Sequence, residues 1–182
     1  DQFLQDGSNQ RTDEYGGSVA NRMKFPLEVL DAVIGVWGKD QVGVRLSPYG
    51  TFNGVSDSDP MNLFGQVIEE FNKRGIVYIN MIEPRATTAG GDDNVNDKAV
   101  CTSDLFRAKF NGMFISSGGY KPETAEVALN DNKADAIMFG RWFIANPDLP
   151  ERIAKKAELN KYDRATFYGG DEKGYTDYPI LS

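Results

Sequence analysis

Histidine is absent from this chain of 182 residues, and cysteine occurs once, at Cys101. Without histidine, a Ser-His-Asp triad, a Cys-His pair and a histidine-ligated metal site cannot be built from this chain. A single thiol forms neither an internal disulfide nor a site held by several thiolates. We therefore expect a metal-free fold in a reducing compartment, with the cytoplasm as the predicted location. Any chemistry should then belong to a bound cofactor.

Basic residues and long apolar runs are also scarce. The 20 lysines and arginines are outnumbered by 27 carboxylates, and the net charge of −7 disfavours binding to nucleic acid or to a membrane surface. No stretch approaches the roughly 20 apolar residues that span a bilayer. The 40% of hydrophobic residues are enough for one core, so we expect one domain over 1–182.

The chain starts at Asp1, with neither an initiator methionine nor a signal-peptide pattern, so we expect the true start to be missing.

Apolar residues recur with periods typical of helices that alternate with strands. Four strands alternating with helices predict parallel βαβ units, the pattern of half a (β/α)8 barrel, although a small doubly wound sheet fits the same pattern. We expect βα units over 1–159 and a polar, aromatic tail over 160–182 that packs on the barrel. Pro26 is expected to kink or restart the first helix. The predicted helices run from a cap at Ser18 to Gly38, from Asp59-Pro60 to Gly75, over 105–110, onward from Pro122 and over 147–159, and the predicted strands cover 42–47, 76–82, 112–116 and 135–140.

Two turns that contain glycine follow the third and fourth predicted strands. In the first turn, Ser117, Gly118 and Gly119 precede a helix whose free N–H groups and dipole favour an anion. In the second turn, Gly140 and Arg141 occupy the same place after the next strand. Barrels commonly form a phosphate site from the loops after strands seven and eight, so the two turns together favour phosphate binding. The alternatives are a plain strand-to-helix turn and an ion pair of Arg141 with a surface carboxylate.

Three further side chains are candidates for a ligand site. Arg45 lies inside an apolar strand, where an unpaired charge is costly to bury, so it needs either a ligand or a structural partner such as Glu83. Arg85 follows the second strand and either faces a substrate or is solvated, with solvation favoured. Tyr168 either walls a planar ligand or packs within the aromatic tail. The acidic cluster at 92–94 lacks the spacing of an EF-hand, and we assign it no ligand.

Several specific motifs are spread along the whole chain. They are Phe3-Leu4 with Ser8-Asn9, 11–18 (RTDEYGGS) with Asn21-Arg22, 43–48 (GVRLSP), 83–85 (EPR), 117–119 (SGG), 140–149 (GRWFIANPDL), 160–164 (NKYDR), 166–168 (TFY) and 174–179 (GYTDYP). Together they resemble the old yellow enzyme family, in which the first of these motifs follows the fourth barrel strand. The variant that the resemblance suggests is a protozoan prostaglandin F synthase-like member.

The resemblance implies the C-terminal half, about strands five to eight, of a (β/α)8 barrel that holds FMN at the carboxyl ends of its strands. It also implies that NADPH reduces the flavin, which then reduces the C=C bond of an enone, a quinone or a prostaglandin precursor. Arg45 would contact the pyrimidine edge of the flavin, where a positive charge favours the anionic reduced form. Phe167 and Tyr168 would border the isoalloxazine and the substrate, and Arg85 would lie at the pocket rim. The FMN phosphate would be held by Ser117, Gly118, Gly119, Gly140 and Arg141.

The family's catalytic groups precede the point at which this chain begins. They are a His/Asn pair that polarises the substrate carbonyl and a tyrosine that donates the proton, so we assign no catalytic residue here. One alternative is the dienoyl-CoA reductase and trimethylamine dehydrogenase branch with an iron–sulfur cluster, which the single cysteine disfavours. The other is an inert half-barrel that needs its missing N-terminal half or self-associates through open sheet edges.

Overall fold

The structure, a computed structural model, describes residues 1–86, 95–96, 98–169 and 171–181. The chain divides into two compact units, Asp1–Ile137 and Met138–Ser182. The first unit contains α1 (Val19–Trp37), β1 (Gly43–Leu46), α2 (Pro60–Arg74), β2 (Tyr78–Ile82), α3 (Thr102–Phe106), β3 (Met113–Ser117), α4 (Pro122–Asn130) and the first two residues of β4 (Ala136–Met138), with short 3-10 turns at Lys39–Gln41, Phe52–Gly54 and Arg107–Lys109. The second contains the last residue of β4, then α5 (Arg141–Ala145), α6 (Leu149–Lys155) and a 3-10 turn at Arg164–Thr166.

The long helices begin and end at the capping residues that the sequence predicts. The Ser18 hydroxyl accepts a hydrogen bond from the backbone N–H of Asn21 at the start of α1, and Gly38 ends that helix. Asp59 caps α2 with Pro60 in its first turn, and Gly75 ends it in the left-handed conformation. The helix does not restart at Pro26, since α1 continues through that residue.

The four strands form one parallel sheet in the order β1-β2-β3-β4. Register determines its two faces, because side chains alternate along a strand and paired residues share a face. Val44, Ile79 and Phe114 are in register on the face that packs against the helices. Arg45 and Asn80 are in register on the opposite face. The predicted α/β class with parallel strands is confirmed.

The core of the first unit lies between the sheet and α2. α2 contributes five buried apolar residues from successive turns, and burying each one contributes roughly 1.5–3 kcal/mol. Phe64 also contacts Phe106 of α3, with ring centroids 6.4 Å apart in an edge-on arrangement. The α2 residues are Leu63, Phe64, Val67, Ile68 and Phe71, and they pack with Leu46, Ile79, Met81 and Phe114 of the sheet.

One side of β1 is open. Within the described part of the chain, β1 pairs with a single strand, β2. A groove of about 690 Å³ runs along its other side, and Phe25, Val29 and Val33 of α1 are exposed there. None of the described helices is both long and apolar enough to cross a membrane.

The second unit is organised by polar side chains that hold its C-terminal segment. Arg152 is buried and donates hydrogen bonds to Asp148 Oδ1 at 2.7 Å, the Glu158 carbonyl at 2.6 Å and the Pro179 carbonyl at 2.8 Å. α6 is shorter than the predicted helix over 147–159, because Lys156 adopts a left-handed conformation and ends it. Its buried residues are Leu149 and Arg152, Ile153 is half-buried one turn after Leu149, and Ala157 lies beyond the end of the helix. The sequence did not predict α5.

Candidate functional site

The glycine turn after β3 requires its glycines. Gly118 has a φ of 108°, and a β-carbon there would lie 2.8 Å from the carbonyl oxygen of Glu83. Gly119 has a φ of 69°, and its β-carbon would meet that of Ala86 at 3.1 Å. Both backbone conformation and close packing therefore disfavour larger residues here. α4 begins directly after the turn, at Pro122.

Glu83 anchors the sheet side of this turn. Its carboxylate is 1% exposed and accepts hydrogen bonds from the backbone N–H groups of Thr102, at 2.7 Å, and Ser103, at 3.1 Å. The Ser116 hydroxyl donates to the same carboxylate at 3.0 Å, and the Glu83 N–H donates to the Ser117 carbonyl at 2.7 Å. Glu83 thus joins the start of α3 to the end of β3 on the helix-facing side of the sheet. Glu83 as an ion-pair partner of Arg45 is wrong, since that arginine lies on the opposite face.

Arg85 reaches the turn from the other direction. Its Nε donates to the Gly118 carbonyl at 3.0 Å, and its Cζ lies 4.1 Å from the ring centroid of Tyr120. Its Nη2 is buried and finds no hydrogen-bond acceptor among the described residues. The interpretation of Arg85 as a solvated residue is therefore wrong.

The ring of Tyr120 packs against the guanidinium of Arg85. Its hydroxyl lies 2.9 Å from the Ser116 hydroxyl, in a buried hydrogen bond. Burial raises the pKa of Tyr120, so the phenol stays neutral near physiological pH. A neutral, fixed ring gives the guanidinium of Arg85 a flat surface to lie on.

Arg45 is exposed, although the sequence predicted a charge buried in an apolar strand. The reason is that Arg45 lies on the face of the sheet opposite the helices, where its side chain reaches solvent. Its register partner Asn80 is 1% exposed and donates through Nδ2 to the Ile115 carbonyl at 3.0 Å. The Asn80 Oδ1 is buried and has no hydrogen-bond donor among the described residues. This face of the sheet therefore presents a cation beside a buried amide.

A pocket of about 660 Å³ lies where β1 and β2 end. Arg85 forms part of its wall, and Tyr49 lines it with a φ of 62°, a strained conformation for tyrosine. Burial raises the pKa of the Tyr49 hydroxyl. The carboxyl ends of parallel strands are where ligands bind in α/β proteins. The remaining walls come from Ser47, residues 50–53, residues 82–84, Ala86, Val95 and Asn96.

The second unit holds the remaining candidates. Gly140 is exposed, and a β-carbon there would meet no described atom within 4 Å. Arg141 is half-buried at the first position of α5. Phe167 is buried and packs against Tyr162 with ring centroids 5.5 Å apart. Tyr168 contacts Phe167 edge-on but is 73% exposed, so it is not a packed residue of the tail.

The structure brings together one part of the predicted phosphate site. Ser117, Gly118 and Gly119 adjoin Arg85, whereas the other candidates belong to the second unit. The sequence indicated neither the bracing role of Glu83 nor the ring of Tyr120 under Arg85. The sequence did offer one signal for these roles. Two charged residues, Glu83 and Arg85, follow a strand with one residue between them, and their side chains can therefore contact different neighbouring elements. The acidic cluster at 92–94 lies outside the described residues.

The glycine turn suits the phosphate of a flavin mononucleotide. A turn without β-carbons lets the backbone approach an anion, and the adjoining guanidinium provides positive charge. Nothing comparable suits a metal ion, because no group of three or more His, Cys, Asp or Glu side chains among the described residues is placed to hold one.

Comparison with known proteins agrees with these features. Residues 1–160 match the NADH:flavin oxidoreductase / NADH oxidase family. The chain is 48% identical over 184 residues to 12-oxophytodienoate reductase 2 of Arabidopsis thaliana, covering 100% of this chain and 48% of the relative. It is 45% identical over 183 residues to 12-oxophytodienoate reductase 1 of Oryza sativa subsp. japonica, covering 100% and 47%.

Solved structures give the same relationship. Morphinone reductase superposes with a TM-score of 0.88 at 46% identity, covering 99% of this chain and 47% of that one. Its complex with tetrahydroNAD superposes with a TM-score of 0.87 at 45% identity, covering 100% and 47%. The chain spans about half the length of the relatives it matches, and these relatives are (β/α)8 barrels. The predicted half-barrel is confirmed, and the chain belongs to the NADH:flavin oxidoreductase / NADH oxidase family, the old yellow enzymes.

Proposed function

We propose that this chain is the flavin-binding C-terminal half of an FMN-dependent ene-reductase. The proposed reaction uses NADPH to reduce the C=C bond of an α,β-unsaturated carbonyl, an enone or a quinone. The names of the relatives support this class, since 12-oxophytodienoate reductase and morphinone reductase are both reductases. The complex of morphinone reductase with tetrahydroNAD supports a nicotinamide as the electron donor. The cytoplasm is the proposed compartment, because a lone thiol fits a reducing environment.

The observation that carries the proposal is the turn at Gly118 and Gly119, which packs closely against residues 83–86. Its glycines let the backbone pack closely, since a β-carbon at Gly118 would meet Glu83 and one at Gly119 would meet Ala86. We assign the FMN phosphate to this turn. When bound, FMN supplies the hydride chemistry that no side chain of this chain can perform. The phosphate contacts are assigned to Ser117, Gly118, Gly119, Gly140 and Arg141.

The remaining assignments follow from chemistry and position. Arg45 presents a cation on the face of the sheet opposite the helices and is assigned to the pyrimidine edge of the flavin. Phe167 and Tyr168 provide aromatic surface and are assigned to the borders of the isoalloxazine and the substrate. Arg85 lines the pocket at the ends of β1 and β2 and is assigned to the substrate rim.

A second candidate is a half-barrel that lacks activity until its other half is present. The open side of β1 favours it. Within the described residues the edge of this strand is unpaired and exposed apolar side chains lie beside it, so a further strand or apolar segment could bind there. Self-association through the same edge belongs to this candidate.

A flavin-retention experiment distinguishes the two candidates. The purified chain is incubated with FMN, free flavin is removed by gel filtration, and the visible absorption of the protein peak is recorded. The first candidate predicts co-eluting flavin, weaker retention by Arg141→Ala, and unchanged retention by the control Arg11→Ala, which removes an exposed arginine paired with Asp13. Loss of all flavin from the wild-type chain would support the second candidate.

A further inference from the structure

Arg85 contacts the glycine turn at two points, through the Gly118 carbonyl and through the ring of Tyr120. We propose that Arg85 is a positioning residue that orients the Gly118–Gly119 peptide for binding the FMN phosphate. This inference rests on the proposed function and deepens it, because it gives Arg85 a role in cofactor binding in addition to the substrate rim.

Peptide geometry provides the first step. The Gly118 carbonyl and the Gly119 N–H belong to one planar trans peptide and point in opposite directions. Since the carbonyl accepts from Arg85 Nε at 3.0 Å, the N–H of Gly119 points away from Arg85. A glycine peptide rotates easily, so without this bond the carbonyl oxygen could turn toward the anion and repel it. Arg85 therefore selects the peptide orientation that favours an anion.

The rigidity of Arg85 provides the second step. Its guanidinium lies on the Tyr120 ring, and that phenol is itself held by the buried hydroxyl of Ser116. Ser116 donates to Glu83, which in turn binds the start of α3. The donor that holds Gly118 is thus fixed by packing and by a chain of hydrogen bonds, as a preorganised site requires.

The chemistry of the guanidinium provides the third step. Nε is committed to Gly118 and one face of the plane to Tyr120, while Nη2 is buried and has no acceptor among the described residues. A lysine at this position would place its nitrogen one atom further along the side chain and has no plane to stack. A glutamine places an N–H donor at the position of Nε. Arg85→Gln therefore keeps the donor that orients the peptide but loses the charge, whereas Arg85→Lys keeps the charge but moves the donor.

The test compares the affinities for FMN and for riboflavin, which lacks the phosphate, by flavin fluorescence titration. We measure the ratio of the two dissociation constants for the wild-type chain, Arg85→Met, Arg85→Gln and Arg85→Lys. Arg85→Met is expected to weaken FMN binding by roughly tenfold while changing riboflavin binding little. Arg85→Gln is expected to restore most of the ratio, and Arg85→Lys less. Arg11→Met removes an exposed arginine that pairs with Asp13, and it is the control that should leave the ratio near the wild-type value.

Each other outcome overturns the inference. Equal weakening of both flavins would assign Arg85 a general structural role, and a better ratio for lysine than for glutamine would mean that charge acts rather than orientation. A wild-type chain that binds both flavins equally would refute the phosphate role of the turn while leaving flavin binding intact. A wild-type chain that binds neither flavin would overturn the proposed function together with the inference. If Arg85→Met does not fold, the comparison of Arg85→Gln with Arg85→Lys still tests whether orientation or charge acts.

Discussion

Gly118 and Gly140 occupy equivalent places after successive strands, yet their surroundings differ. A β-carbon at Gly118 would contact the backbone of Glu83, whereas one at Gly140 would meet no described atom within 4 Å. Gly140 also has an ordinary φ of −101°. Packing inside the protein therefore explains Gly118, whereas the described residues around Gly140 leave room for a side chain.

This difference predicts unequal costs for two alanine substitutions. Gly118→Ala should lower the free energy of unfolding by about 1–3 kcal/mol, because alanine is strained at a φ of 108° and collides with Glu83. Gly140→Ala should change it by less than about 0.5 kcal/mol. Urea unfolding followed by circular dichroism measures both values. Equal effects would mean that the turn relaxes around the new methyl group.

The buried arginine of the first unit's described residues is Arg22, although the sequence singles out Arg45. Arg22 pairs with Asp57 at 3.0 Å, with side chains 7% and 1% exposed, and donates to the carbonyls of Leu4 and Gly17. Sequence reasoning missed this pair because its members are far apart in the chain and neither lies in an apolar run. A motif in the sequence does not show whether its arginine is buried in an ion pair, as Arg22 is, or exposed, as Arg45 is.

Removing Arg22 should be costly. Arg22→Met is expected to lower the free energy of unfolding by about 3–5 kcal/mol, since it leaves the Asp57 carboxylate buried without a countercharge. Arg11→Met, which breaks the exposed pair with Asp13, should change the free energy of unfolding far less, because solvent screens an exposed ion pair. Denaturant titration of both variants provides the measurement. In an Asp57→Asn background the effect of Arg22→Met should shrink, and an undiminished effect would contradict the ion-pair explanation.

Among the elements, those with strong caps were predictable and those without were not. α1 and α2 begin and end where Ser18, Gly38, Asp59 and Gly75 predict, because each cap satisfies backbone groups locally. α5 has no side-chain cap, and α6 ends at a lysine in a left-handed conformation. Those boundaries depend on tertiary contacts, such as the hydrogen bonds from Arg152 to the carbonyls of Glu158 and Pro179. A local sequence pattern does not predict such contacts.

Arg74 joins α1 to α2 through carboxylates whose pKa values are lowered. It binds Asp31 through two hydrogen bonds, of 2.6 and 3.0 Å, and these lower the pKa of Asp31 below its ordinary 3.8. Hydrogen bonds from Lys73 and then Arg74 lower the pKa of Glu70 below its ordinary 4.5. A depressed carboxyl pKa contributes stability that is present above the ordinary value and is lost as the pH falls through the folded-state value.

Arg74→Met should therefore destabilise the protein in a pH-dependent way. We expect a loss of about 0.5–1 kcal/mol at neutral pH, because the pairs are partly exposed to solvent. The loss should diminish as the pH falls below about 4 and both carboxyls become protonated in the two proteins. Urea unfolding at several pH values measures it. A difference that stays constant into the acid range would show that packing of the arginine stem, rather than charge, stabilises the pair of helices.

At the scale of the whole molecule, the strand order and the parallel sheet followed from the alternation of helices and strands. The exposure of Arg45 did not, because periodicity shows which residues share a face but not whether that face is covered. Half of a barrel leaves such a face and an edge open. Val29 and Val33 of α1 are exposed along the groove beside β1 for the same reason.

This open side predicts self-association of the isolated chain. Apolar surface beside an unpaired strand edge favours contact between copies, so the weight-average mass in sedimentation equilibrium should rise with protein concentration. Val29→Glu places a charge in the groove and should reduce that rise. Val127→Glu is the matched control, because Val127 is 58% exposed on α4, against 46% for Val29 in the groove, and its substitution should have little effect. A chain that remains monomeric at all concentrations, or two variants that behave alike, would mean that the side of β1 is not an association surface.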